Sequence, residues 1–202
     1  EVEIGGMKNA AAPILAATLL TVDDCVIDRV PRLSDVEKIM EIMKSLGAKV
    51  EWTGEHQLTI NCANVSLQNI NKKMVKSMRA SILFFGPLLA RFKEVTLPEP
   101  GGCIIGNRPI DAHLFALQKL GAEISREKEF FHLKTIGLKG AEIVLPEFSV
   151  TATENAIMAA TLADGVTTIK LAAAEPHVQD LISFLNKMGA KIQGAGTHSL
   201  KI

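Results

Sequence analysis

Leu46-Gly47-Ala48-Lys49-Val50 returns as Leu120-Gly121-Ala122-Glu123-Ile124 and again as Met188-Gly189-Ala190-Lys191-Ile192. The three glycines lie roughly 70 residues apart, too long for a solenoid repeat and about right for a small α/β unit used three times. Ahead of each copy runs a segment opened by a proline (Pro31, Pro109, Pro176) and an acidic residue (Asp35, Asp111, Asp180), with apolar side chains at helical spacing. Val36, Met40, Met43 and Leu46 mark the first face, Ile110, Leu114 and Leu117 the second, and Val178, Leu181, Leu185 and Met188 the third. The glycine ending each face releases the chain through a left-handed residue without a Cβ clash. A strand pair is predicted to follow: 49–52 with 57–60, 123–125 with 130–133, and 191–193 with 199–202.

Each copy also carries an earlier helix of another character. Residues 9–20, 75–90 and 151–163 are small or apolar on nearly every side, so these helices are expected to be enclosed. Strands are predicted after them (25–30, 94–97, 166–171) and before them (2–4, 65–68, 142–145). The unit reads β-α-β-α-β-β. Three such units, about 1–62, 63–135 and 136–202, are expected to pack as one α/β domain over 1–202, with a helical centre and the sheets outermost.

Composition fits a globular enzyme domain. The 202 residues are 48% apolar, enough to bury a sizeable core. The net charge is zero, from 22 basic and 22 acidic residues, so no global field favours nucleic acid or an anionic membrane. Apolar runs near 10–22 and 82–90 fall short of the about 20 residues that cross a bilayer, and each holds a proline. No leader pattern is visible, and Cys25, Cys62 and Cys103 are odd in number and far apart. That usage suits a reducing compartment, and a cytoplasmic location is expected. The chain opens at Glu1 inside a predicted strand, so a longer N-terminus is expected too.

Three places carry chemistry. Around Cys103, the run from Leu97 to Pro109 has Gly101, Gly102 and Gly106, with Arg108 at the edge of a predicted helix. A thiol beside that cation would ionise more easily; the plain alternative is a Gly/Pro-rich surface loop with an inert thiol. Gly5-Gly6-Met7-Lys8-Asn9 puts a lysine and an amide where a helix begins, a setting for an anion or simply for a solvated charge and a cap. Arg79 lies in an otherwise apolar helical run, where an unpaired guanidinium is costly to bury.

Together these residues resemble a known family. Gly6-Met7-Lys8-Asn9-Ala10-Ala11, Met78-Arg79-Ala80-Ser81, the string from Pro100 through Cys103 and Arg108 to Asp111, and Ala152-Thr153-Glu154-Asn155 are similar to signatures of the enolpyruvyl transferases. The match is to those that act on UDP-N-acetylglucosamine and begin peptidoglycan synthesis, and it runs from end to end. It implies the inside-out α/β fold of that family, one domain of two, the second lying beyond this chain. It implies transfer of the enolpyruvyl group of phosphoenolpyruvate to the 3′-hydroxyl of the nucleotide sugar by addition and elimination, with no metal or organic cofactor. By the same resemblance Cys103 is the catalytic loop thiol, which the epoxide fosfomycin attacks, and Lys8, Asn9 and Arg108 hold phosphoenolpyruvate. Arg79, Arg108, Pro109, Ile110, Asp111, Ala112, Glu147, Phe148, Ser149 and Val150 contact UDP-N-acetylglucosamine. The implied partners are these two substrates and the second domain, with no nucleic acid and no membrane. An isolated chain is expected to be inactive and to retain some nucleotide-sugar affinity.

There are departures from the family pattern. Glu147 stands where a lysine is common, Thr151 where a glycine is, and Ala174-Glu175-Pro176-His177 where Arg-Glu-Pro-Glu is frequent. His177 has no partner in the sequence and is expected on the surface. Three alternatives remain open: a shikimate-pathway enolpyruvyl transferase, a noncatalytic nucleotide-sugar-binding domain, and an RNA 3′-phosphate cyclase. The first is disfavoured by the cysteine loop, and the last by zero net charge, eight Phe, one Trp and no Tyr.

Overall fold

The glycine phrase proves to be one hydrogen-bonded device built three times. In the computed structural model, which describes residues 5–101 and 109–202, Gly47, Gly121 and Gly189 have φ of 96°, 96° and 108°. They end helices α2 (Ser34–Ser45), α5 (Asp111–Lys119) and α7 (Pro176–Lys187). Each glycine N–H bonds back three residues, to Lys44, Gln118 or Asn186. The alanine after it bonds back five, to Met43, Leu117 or Leu185, at 3.0–3.1 Å. This double closure is the Schellman cap, which needs a left-handed residue at the glycine and satisfies the last helical carbonyls.

Beyond the caps the chain forms three small sheets. β1 (Cys25–Ile27), β2 (Lys49–Trp52) and β3 (Leu58–Asn61) pair in the order β1-β3-β2, antiparallel throughout. β4 (Glu94–Pro98), β5 (Glu123–Glu127) and β6 (Phe130–Lys134) repeat that order as β4-β6-β5. In both, two parallel outer strands flank a central one, and a helix, α2 or α5, makes the crossover that parallel strands require. The third sheet shows a different part of the pattern. Its strands β7 (Glu142–Val144) and β8 (Thr168–Lys170) are parallel, and β9 (Ser199–Lys201) joins β8 antiparallel. Register places apolar pairs inward: Val50 opposite Ile60, Val95 opposite Leu133, Ile143 opposite Ile169 and Ile169 opposite Leu200.

Three expectations are corrected. Residues 65–68 are not a strand; a 3-10 turn, Leu67–Asn69, occupies this place, opened by the Ser66 hydroxyl accepting the Gln68 N–H. The third hairpin is reduced to one bridge, Gln193 with Lys201, because Gly194 at φ 90° turns the chain away at once. The strand predicted at 2–4 lies outside the described residues. The third correction concerns the helix predicted at 75–90. It is broken into α3 (Lys72–Ser77), a 3-10 turn Arg79–Phe84 and α4 (Phe85–Phe92), with Met78 extended at φ −142°, ψ 138°.

The other two apolar helices form as expected. α1 (Lys8–Ala17) continues into a 3-10 turn at Thr18–Leu20 and packs on α2 and α7. α6 (Val150–Ala160) is buried from Ala152 to Ala160 and touches α4, α5 and α7. Asn155 joins α6 to α4: its amide donates to the Ile82 carbonyl (3.0 Å) and accepts the Gly86 N–H (2.8 Å). Gly86 must be small, since a Cβ there would lie 2.6 Å from the Asn155 carbonyl oxygen. Arg91, at the end of α4, donates to the Leu19, Thr21 and Cys62 carbonyls at 2.8–3.3 Å, tying the first third of the chain to the second. No helix among the described residues is long and apolar enough to cross a membrane.

Candidate functional site

A cleft of about 510 Å³ opens where α1, α2, α6 and α7 meet the broken segment. Lys8 and Asn9, the first two residues of α1, reach it from one side, and Arg79 from the other, with Val150 and Thr151 on the wall between. Four residues singled out in the sequence therefore come together here from distant segments. The Met78 break allows this: it turns the backbone so that Arg79 begins a new turn and its guanidinium looks into the cleft instead of into the core. Ser81 secures the break, its buried hydroxyl donating to the Val75 and Met78 carbonyls, each at 2.7 Å. Arg79 Nη2 also donates to the Pro109 carbonyl at 3.0 Å, which brings the second predicted segment to the rim.

The remaining predicted residues are placed unequally. Asp111 is exposed at the start of α5, whereas Ile110 and Ala112 are buried in the core. Ser149 caps α6, accepting the Ala152 N–H, and Glu147 is exposed. Phe148, 63% exposed, meets His198 edge-on at 4.9 Å and lines a separate opening with Ala173, Ala174 and Glu175. Cys103 and Arg108 lie outside the described residues. Cys25 and Cys62 are both buried free thiols; burial pushes Cys25 up to about 11 and raises Cys62 as well.

Several residues in the cleft, and His113 behind its Thr151 wall, were not among the sequence candidates. Lys8 is held by Asp35 at 2.9 Å, so its charge is shared with a half-exposed carboxylate, and Lys38 lies next along α2. His177 is half-exposed, on the surface as expected, and lines the cleft from α7. His113 is 3% exposed and shares a 2.8 Å hydrogen bond through Nε2 with Thr151, while its Nδ1 has no partner. Burial, with Arg79 adding to it, pushes His113 down to about 4, so it is neutral at pH 7. Glu154 sits on the floor, 1% exposed. Burial, with Glu175 adding to it, pushes Glu154 up to about 8. The signal for Glu154 is present in the sequence, because a carboxylate in a helix of small and mostly apolar residues raises the same question that Arg79 does.

Chemically, the cleft offers cations at a helix N-terminus and on the facing turn, a setting that favours a multiply charged anion. Among the described residues no group of three or more His, Cys, Asp or Glu could hold a metal ion.

Comparison with known proteins follows the same lines. A family model described as EPSP synthase (3-phosphoshikimate 1-carboxyvinyltransferase) matches residues 1–202. UDP-N-acetylglucosamine 1-carboxyvinyltransferase 1 of Carboxydothermus hydrogenoformans is 50% identical over 202 residues, which is 100% of this chain and 48% of that protein. The protein named UDP-N-acetylglucosamine 1-carboxyvinyltransferase in Helicobacter acinonychis is 47% identical, again over 100% of this chain and 48% of its own length. Among solved structures, the enolpyruvyl transferase NikO of Streptomyces tendae aligns with a TM-score of 0.85 at 19% identity, covering 98% of this chain and 47% of that one. EPSP synthase of Acinetobacter baumannii aligns at 0.74 and 18%, over 100% and 46%. The chain thus spans about half the length of the curated relatives it matches.

Proposed function

Since this chain belongs to the EPSP synthase family of carboxyvinyltransferases, we propose that it is one domain of an enzyme acting on phosphoenolpyruvate and UDP-N-acetylglucosamine. The names of the relatives at 47–50% identity favour the nucleotide sugar over shikimate phosphate as acceptor. The observation that carries the reading is the meeting of Lys8, Asn9 and Arg79 in one cleft, with Arg79 bound to Pro109.

In the addition step the sugar 3′-hydroxyl gives up its proton to a base as its oxygen bonds to C2 of phosphoenolpyruvate, while C3 gains a proton. In the elimination step C3 loses a proton and the C2–O bond to phosphate breaks. The family resemblance assigns the proton delivered to C3 to Cys103, and the phosphate and carboxylate to Lys8, Asn9 and Arg108. Fixed positive charge at the site of a developing anion lowers the barrier because it needs no reorganisation during reaction. Arg79, with the 109–112 and 147–150 segments, serves the nucleotide sugar. A second domain closes the cleft and supplies the remaining groups, the setting is cytoplasmic peptidoglycan synthesis, and fosfomycin is an inhibitor through Cys103.

Phosphate release should be absent with the 202-residue chain and appear when the second domain of a relative is added in trans. Titration calorimetry should detect UDP-N-acetylglucosamine binding by the chain alone, weakened about tenfold or more in R79A, the loss expected for one charged hydrogen-bond donor. Turnover by the chain alone, or unchanged affinity in R79A, would overturn the assignment.

A further inference from the structure

α6 carries three consecutive buried polar side chains, and they are not equivalent. Thr153 Oγ1 donates to the Ser149 carbonyl (2.8 Å) and accepts the Ala173 N–H (3.0 Å). Asn155 bonds to Ile82, Gly86 and the Thr151 carbonyl. Glu154, between them, is equally enclosed at 1% exposure, yet its Oε1 has no partner. Leaving a polar atom unmatched in the interior costs on the order of 1–3 kcal/mol, and a fold that satisfies both neighbours has a reason to leave this one open. Glu154 lines the cleft, so the cleft side is where a partner can reach its carboxyl group.

The surrounding charges define the group's state. The cations facing the cleft are Lys8, Lys38 and Arg79 and the facing anion is Asp35, with His177 beside them on α7, while Glu175 lies on the neighbouring opening. Lys8 is engaged by Asp35, and among the described residues the charge that acts on Glu154 is the Glu175 carboxylate. A like charge and an apolar enclosure both favour the neutral acid, whose proton makes the group a donor. His113, on the α5 side of α6, is neutral and turned to Thr151.

We infer that Glu154 is a further ligand-contacting residue of this cleft, presenting its carboxyl group as a hydrogen-bond donor to an oxygen of the anion bound beside Lys8 and Asn9. The inference rests on the proposed function only for the identity of that anion, phosphoenolpyruvate. A protonated acid is suited to this place because it supplies an O–H without adding a negative charge to a site built for one.

The test is carbon-13 NMR of the labelled glutamate carboxyls in the 202-residue chain, assigned with E154Q, together with binding of phosphoenolpyruvate, UDP-N-acetylglucosamine and inorganic phosphate from pH 7 to 9. The Glu154 carboxyl is expected to titrate near 8 in the free chain and to move upward when phosphoenolpyruvate is added. Wild-type affinity should fall about tenfold over that pH range. E154Q keeps a donor that does not titrate, so its affinity should stay within about threefold of wild type at pH 7 and remain flat to pH 9. E154L, where it folds, should bind about tenfold more weakly at pH 7. A Glu154 carboxyl already ionised at pH 6, an E154Q profile that declines as wild type does, or a folded E154L with wild-type affinity would overturn the inference. Glu154-dependent binding of inorganic phosphate without phosphoenolpyruvate or nucleotide-sugar binding would support it while removing the substrate assignment. Binding of none of the three anions would overturn both.

Discussion

α6 and the segment 72–92 pack against each other in the centre of the molecule, yet one is an unbroken rod and the other is broken at Met78. Both carry a charged residue in an apolar run, Glu154 in α6 and Arg79 in the broken segment. The rod keeps its charge inside and relies on a neutral form to tolerate the enclosure. The broken segment instead opens its backbone at Met78, so that a guanidinium that cannot be neutralised reaches the cleft and the Pro109 carbonyl. A carboxyl group can shed its charge at modest cost and arginine cannot, which accounts for the two solutions.

The largest expected effect comes from cutting the link between the two elements. N155L strands the Gly86 N–H and the Ile82 carbonyl in the core and should lower unfolding free energy by about 4 kcal/mol, read by urea titration. A loss under about 1 kcal/mol would mean that the rod and the broken segment are held by apolar contact alone.

Acidification probes the rod through its neighbour His113. Its pKa is about 4 in the folded chain and near 6.5 when unfolded, so between these values the unfolded state binds the extra proton. Stability therefore falls as pH drops from 6.5 to 4, by about 3 kcal/mol from this residue. Glu154, whose carboxyl is raised to about 8, stabilises the fold as pH falls through the same range and opposes His113 in wild type, so the measure is the difference between H113L and wild type, which should change by about 3 kcal/mol from pH 6.5 to 4. Identical slopes would place the acid sensitivity elsewhere.

The smallest effect is expected at the break itself. S81A removes the hydroxyl that holds Val75 and Met78 together and should cost about 1–2 kcal/mol, with faster amide exchange confined to 75–81. Exchange that quickens equally in α6 would show that the two elements open as one and that the contrast between them is only geometric.

The sequence made the regular part of this comparison legible and hid the irregular part. Three glycines at matched places announced the left-handed caps, because few other residues tolerate φ near 100°. All-round apolar runs announced enclosed helices at α1 and α6. Met78 gave no such sign: its extended backbone needs neither Gly nor Pro, so nothing separated a broken rod from a whole one. At 65–68 the alternation of Val65 and Leu67 imitated a strand, while the Ser66 hydroxyl selected a turn. In the cleft, Lys8 and Asn9 were readable as a cation and an amide at a helix start and Arg79 as a cation inside an apolar run, whereas Asp35 and His177, and His113 behind Thr151, acquire meaning only once distant segments meet. Glu154, in Ala152-Thr153-Glu154-Asn155, is a carboxylate within a small and mostly apolar run, so its burial carries the same cost as that of Arg79.

The Arg91 clamp bears on how the chain comes apart. Its bonds to Leu19 and Thr21 span some 70 positions and the one to Cys62 nearly 30, so they can exist only after the first and second thirds have docked. Partial unfolding that frees α1 must break the clamp and with it the end of α4. The slowest-exchanging amides of these two helices should then share a single opening free energy, making them one cooperative foldon despite their separation along the chain.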